Sequence, residues 1–119
     1  MPRNILDEAR IHPAIRARIA SSHADIVGEV ESALASNRIV VAGMGQNPHV
    51  KKARRLLDRA GLAYRYLEYG NYFSQWRRRN ALKMWTGWPT FPMVFVNGVL
   101  IGGASDFERL IHSGELRSG

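Results

Sequence analysis

The chain has 119 residues, no cysteine and a formal net charge of +7. This length supports one domain with a real core, not two substantial ones, and without cysteine no disulfide, zinc-thiolate or cysteine-ligated iron–sulfur site forms within the chain. No apolar run approaches the roughly 18 residues of a membrane span, and no secretory h-region is present, so a cytoplasmic location with no membrane partner is expected.

The first 22 residues read as an appendage in which Pro13 opens a short helix, with Ile15 and Ile19 on one side and Arg16 and Arg18 more exposed. A second helix is predicted over 24–35, where Ile26, Val27, Val30, Ala33 and Leu34 form an apolar stripe and Ser22 is the candidate cap. Residues 1–35 are therefore assigned to a helical extension and first helix packed on the edge of the fold; a partner-binding arm is the alternative. Residues 38–42 read as a short buried strand, since Ile39, Val40 and Val41 are consecutive and β-branched. A loop from Gly43 to Asn47 leads into a helix from Pro48 or His49 to Ala60. Val50, Ala53, Leu56, Leu57 and Ala60 share one face of that helix, and Gly61 stops it. The next strand is 64–68, completing a right-handed parallel strand–helix–strand unit.

After Tyr69, Gly70 and Asn71, a helix is predicted from Phe73 to Met84. Phe73, Trp76, Ala81 and Met84 are placed inward, and Arg77, Arg78, Arg79 and Lys83 mainly outward; Thr86, Gly87, Trp88 and Pro89 end it. Strands at 93–96 and 99–101 flank Asn97-Gly98, a pair that tolerates the positive φ values of a type I′ turn. Gly102 and Gly103 lead into a last helix with Phe107, Leu110 and Ile111 inward. The sum is an α/β unit: a strand–helix–strand, then helix, hairpin and helix.

Charge is concentrated between Pro48 and Lys83, where ten basic residues face only Asp58 and Glu68, a net of +8. Such a field attracts anions. It serves either solubility or a small acidic ligand or protein; nucleic acid is the least favoured partner, because no recognition motif or aromatic-basic platform accompanies the charge. Tyr72, Phe73, Trp76, Trp85 and Trp88 either close the core or form an apolar platform suited to protein recognition.

Trp88-Pro89-Thr90-Phe91-Pro92, then Val94-Phe95-Val96-Asn97-Gly98, then Gly102-Gly103-Ala104-Ser105-Asp106, resemble the glutaredoxins, particularly the monothiol group. The resemblance runs over 36–116, through Ser113-Gly114-Glu115-Leu116, with 117–119 as a tail. It implies a thioredoxin fold whose four-stranded mixed sheet, flanked by helices, has the order second, first, third, fourth strand. It also implies a cis peptide before Pro92. The resemblance sets Asn47 where the family has its nucleophilic cysteine and Val50 where dithiol members have a second one. Asparagine offers no thiolate, so thiol–disulfide exchange is not expected.

The resemblance further implies a glutathione-like site. Phe91 and Pro92 would flank an extended peptide, Gly102, Gly103, Ser105 and Asp106 would receive one carboxylate at a helix start, and Arg79 and Lys83 would attract the other. Ser105 and Asp106 as simple helix caps, and Arg79 and Lys83 as a solvated face, are the alternatives. The family's loop lysine is missing between Gly43 and Asn47, where Met44 stands instead, so weak binding of glutathione or of another anionic peptide is expected. Monothiol members are also associated with glutathione-bridged iron–sulfur clusters, but cluster ligation draws on thiolates, and Asn47 supplies none. His12, His23, His49 and His112 lack metal-binding spacing. The leading expectation is a non-catalytic glutaredoxin-like binding protein linked to redox homeostasis. Its rivals are a protein-interaction scaffold that ignores glutathione and, more distantly, a non-thiol enzyme using His49.

Overall fold

The run of β-branched residues forms the centre of the sheet. In the computed structural model, which describes residues 4–21, 23–71 and 74–114, this strand is β1 (Ile39–Gly43), buried along its whole length. Ser22, Tyr72, Phe73, Glu115, Leu116 and the 117–119 tail, on which some expectations rest, lie outside the described residues. β1 pairs in parallel with β2 (Arg65–Glu68) and antiparallel with β3 (Met93–Val96), which pairs antiparallel with β4 (Val99–Gly102). The order is β2-β1-β3-β4, as expected. Asn97 (φ 52°) and Gly98 (φ 78°) both take the left-handed backbone of the hairpin turn.

Five α-helices are described: α1 (Pro13–Ser21), α2 (Ala24–Ser36), α3 (Pro48–Ala60), α4 (Trp76–Thr86) and α5 (Ala104–Ser113). Side chains alternate across the sheet, giving two core clusters. Val40, Ala42, Met93 and Phe95 pack with Ile26 and Val30 of α2 and Ala81 and Leu82 of α4. Ile39, Val41 and Val94 pack with Ala53 and Leu57 of α3 and Ala104 and Phe107 of α5. Helices cover both faces, which is why β1 is apolar throughout instead of alternating.

α2 is preceded by His23 in a left-handed conformation (φ 51°) with no side-chain cap bond, and the candidate cap Ser22 lies outside the described residues. Ile15 and Ile19 of α1 are 42% and 57% exposed. One expectation is corrected. α4 is rotated relative to the predicted phase: Arg79, Ala81 and Leu82 are buried, whereas Trp76 is 54% and Met84 72% exposed. The cause is non-local. Arg79 Nη1 donates to the carbonyl oxygens of Tyr69 (2.8 Å) and Ser74, and this inward bracing turns the face bearing Trp76 and Met84 away from the sheet.

Candidate functional site

Asn47 precedes α3 with an extended backbone, and Pro48 follows at the first helical position, where its missing N–H costs nothing. Asn47 Oδ1 accepts hydrogen bonds from the backbone N–H groups of His49 (2.9 Å) and Val50 (3.2 Å). Asn47 is thus the cap of α3. Met44, in the preceding loop, is buried at 7% exposure, and Gly45 N–H donates to the Gly70 carbonyl at 2.7 Å, pinning this loop to the exit of β2. His49 is exposed. Among the described residues no three of His, Asp and Glu converge as a metal site would require.

The second part of the site forms where β3 begins and β4 ends. The Phe91–Pro92 peptide is cis, and both residues are buried. A Cβ built on Gly103 would lie 3.6 Å from the Pro92 carbonyl oxygen and 3.9 Å from the Trp88 ring, so these segments close on one another as a corner. Trp88, assigned from sequence to the core or a platform, belongs to this corner, and its buried Nε1 has no partner among the described residues. Gly102 has φ 115°, and a Cβ there would collide with the Asp106 side chain, so no larger residue fits. Asp106 Oδ2 reaches back to accept from Gly103 N–H at 3.0 Å, and its Oδ1 accepts from Arg109 at 2.9 Å. Asp106 therefore closes the start of α5 from inside the first turn. Ser105 does not cap it: it is the second helical residue and exposed.

Of the two basic candidates, Lys83 stands near the corner, with Nζ 5.8 Å from the centre of the Phe91 ring. Arg79 does not face outward. It is 6% exposed, and burial lowers its pKa from the ordinary arginine value, which still leaves it cationic near neutral pH. Its neighbour Arg78 pairs with Asp25 of α2 at 3.1 Å and lies 5.5 Å from the Tyr69 ring. The Tyr69 hydroxyl donates to Glu29 at 2.7 Å, and that of Tyr66 donates to Glu68 at 2.9 Å. Burial first, and then the carboxylate partner, pushes both phenols well above the usual tyrosine range. The Tyr69–Glu29 contact was not expected from sequence, because its partner lies 40 residues away on α2, whereas Tyr66 and Glu68 are two apart on β2 and share one face of the strand.

The glutaredoxin family model matches residues 39–101, which include Asn47, α3, the cis peptide and the hairpin. The chain belongs to the glutaredoxin family. It is 48% identical over 98 residues to a glutaredoxin-like protein of Dictyostelium discoideum, covering 82% of this chain and 80% of that protein. It is 33% identical over 95 residues to the mitochondrial glutaredoxin-2 of Homo sapiens, covering 76% of this chain but 55% of that protein. Its match therefore spans only about half of the mitochondrial relative. Among solved structures, a buckwheat glutaredoxin–glutathione complex is similar with a TM-score of 0.70 at 25% identity, over 80% of this chain and 86% of that one. A wheat glutaredoxin is similar with a TM-score of 0.69 at 29% identity, over 82% and 90%. This glutaredoxin has no cysteine anywhere in its sequence.

Proposed function

We propose that this glutaredoxin is a non-catalytic module, akin to the monothiol group, that binds glutathione-like or acidic peptide groups and serves cytoplasmic redox homeostasis by binding instead of turnover. The observation that carries this reading is the corner of Phe91, Pro92, Gly102 and Gly103, which is kept closed, with the first three buried and Gly103 half-buried, although the chain has no thiol. An extended ligand beside Phe91 and Pro92 would direct one carboxylate to the backbone N–H groups of the first turn of α5, where the helix dipole favours an anion. The second carboxylate would meet Lys83. Arg79 leaves the ligand set, because its Nη1 is spent on the Tyr69 and Ser74 carbonyls. Asn47 contributes the loop shape and its amide Nδ2, with Oδ1 occupied by the helix. The similarity to a glutaredoxin solved with glutathione supports the ligand class.

The test is a site-resolved NMR titration with glutathione and with an acidic peptide at two ionic strengths. Saturable shifts at residues 91–92 and 102–106 are expected, weaker at high salt and weaker again in Lys83→Ala. No saturable shift there at millimolar ligand would refute the module. A parallel assay of glutathione mixed-disulfide reduction should give no turnover above a blank without protein; turnover proportional to protein would refute the non-catalytic reading.

A further inference from the structure

A groove of about 960 Å³ runs between α1, α2 and α4, and no residue of the ligand corner lines it. Its walls are Ile15 and Ile19 of α1, Val27 of α2, and Ala81, Met84 and Trp85 of α4. Gly28, in the middle of α2, also lines it, and a Cβ built there would meet nothing within 4 Å. A glycine inside a helix costs about 1 kcal/mol relative to alanine. At Gly28 the groove floor is open, with space for an incoming side chain. Nearby, Trp76 is 54% and Met84 72% exposed, and the Arg77 guanidinium lies 5.2 Å from the Trp76 ring. Tryptophan, methionine and arginine are the residue types enriched where proteins bury one another.

Charge selects the occupant. Arg18 lines the groove, and Arg77 precedes Ala81 by one turn on the same face of α4. The Arg78–Asp25 ion pair joins the first turns of α2 and α4, so both helices begin at the Arg77 end and add their positive dipole ends there. Glu31, later in α2, lines the other end. A second copy carrying +7 would bring like charge to like charge.

We propose that this groove docks an amphipathic helix of another protein, with its apolar residues over Gly28 and acidic residues at the Arg77 end, in the helix-in-groove mode. The probe is a synthetic peptide of roughly 18 residues with leucines at i, i+3, i+4 and i+7 and glutamates at one end, the end that would meet Arg77. It is compared with a lysine-ended version and a scrambled sequence by NMR titration of the full chain. Saturable shifts at residues 15, 19, 28, 81, 84 and 85 are expected with the glutamate peptide. Binding should weaken by roughly ten-fold, the loss of one hot-spot contact, in Gly28→Met, which fills the floor, and in Met84→Glu, which alters an exposed side chain. Gly28→Ala, which improves the helix and fills little, should retain binding.

No saturable shifts, or equal binding of the scrambled or lysine-ended peptide, would overturn the proposal. So would tighter groove binding of dodecanoate, which assigns the site to a small amphiphile. Self-association of the protein alone, abolished by Gly28→Met, would overturn it in favour of a second copy.

Discussion

At Asn47 an amide oxygen stands where two backbone N–H groups of α3 need an acceptor. Asn47→Ala leaves both to solvent and should cost about 1 kcal/mol, read as a lower urea midpoint at unchanged m. In Asn47→Cys the new thiol would sit at the same helix start, beside a strongly basic helix. Its pKa is therefore expected below the free-cysteine value of about 8.5, measured by the pH dependence of alkylation; an unshifted thiol would show that the helix start does not polarise the position. Arg79 and Lys83, read from sequence as equivalent, should separate. Arg79→Ala strips donors from two carbonyls and should cost about 1–3 kcal/mol. Lys83→Ala loses a partly exposed contact with Phe91, for a stability change below about 1 kcal/mol. Equal losses in urea unfolding would contradict the bracing role of Arg79.

At the scale of elements, locally specified features were legible and non-local ones were not. The strand predicted at 38–42 is Ile39–Gly43, and the helix predicted to end at Ala60 does so with Gly61 in the left-handed region (φ 69°). β-branched runs, a stop glycine and an Asn-Gly pair act through their own backbone preferences. The rotation of α4 depends instead on carbonyls contributed by the loop after β2, which no periodicity within the helix reveals. The start of α5 is similarly tertiary, since Asp106 both bonds Gly103 and occupies the space beside Gly102. Asp106→Ala is expected to cost about 1 kcal/mol and to speed amide exchange at residues 103–107 more than in β1. Uniform acceleration would show that the contact serves global stability and not the local helix start.

For the molecule as a whole, the raised tyrosines set an alkaline limit. Tyr66 and Tyr69 hold their protons in the folded state above the unfolded tyrosine value of about 10. The unfolded chain releases those protons first, so their contribution is full below about pH 10 and is lost as pH rises beyond it. Unfolding free energy should therefore fall as pH rises above about 10, and fall less steeply in Tyr69→Phe. Identical slopes for the two proteins would remove Tyr69 from the account.

The sequence by itself determined the element order, the parallel strand–helix–strand unit, the hairpin and the absence of a thiol, because hydrophobic period, turn chemistry and residue type are properties of neighbouring positions; the joining of these strands into one mixed sheet was implied by the family resemblance. Tertiary structure alone decided that Arg79 braces while Lys83 stays near the corner, and that Asp106, not Ser105, closes α5. It also decided that Met84 and Trp85 line a groove instead of filling the core. In each case the deciding partner lies on a different segment, and its distance and direction exist only once the helices have packed on the sheet.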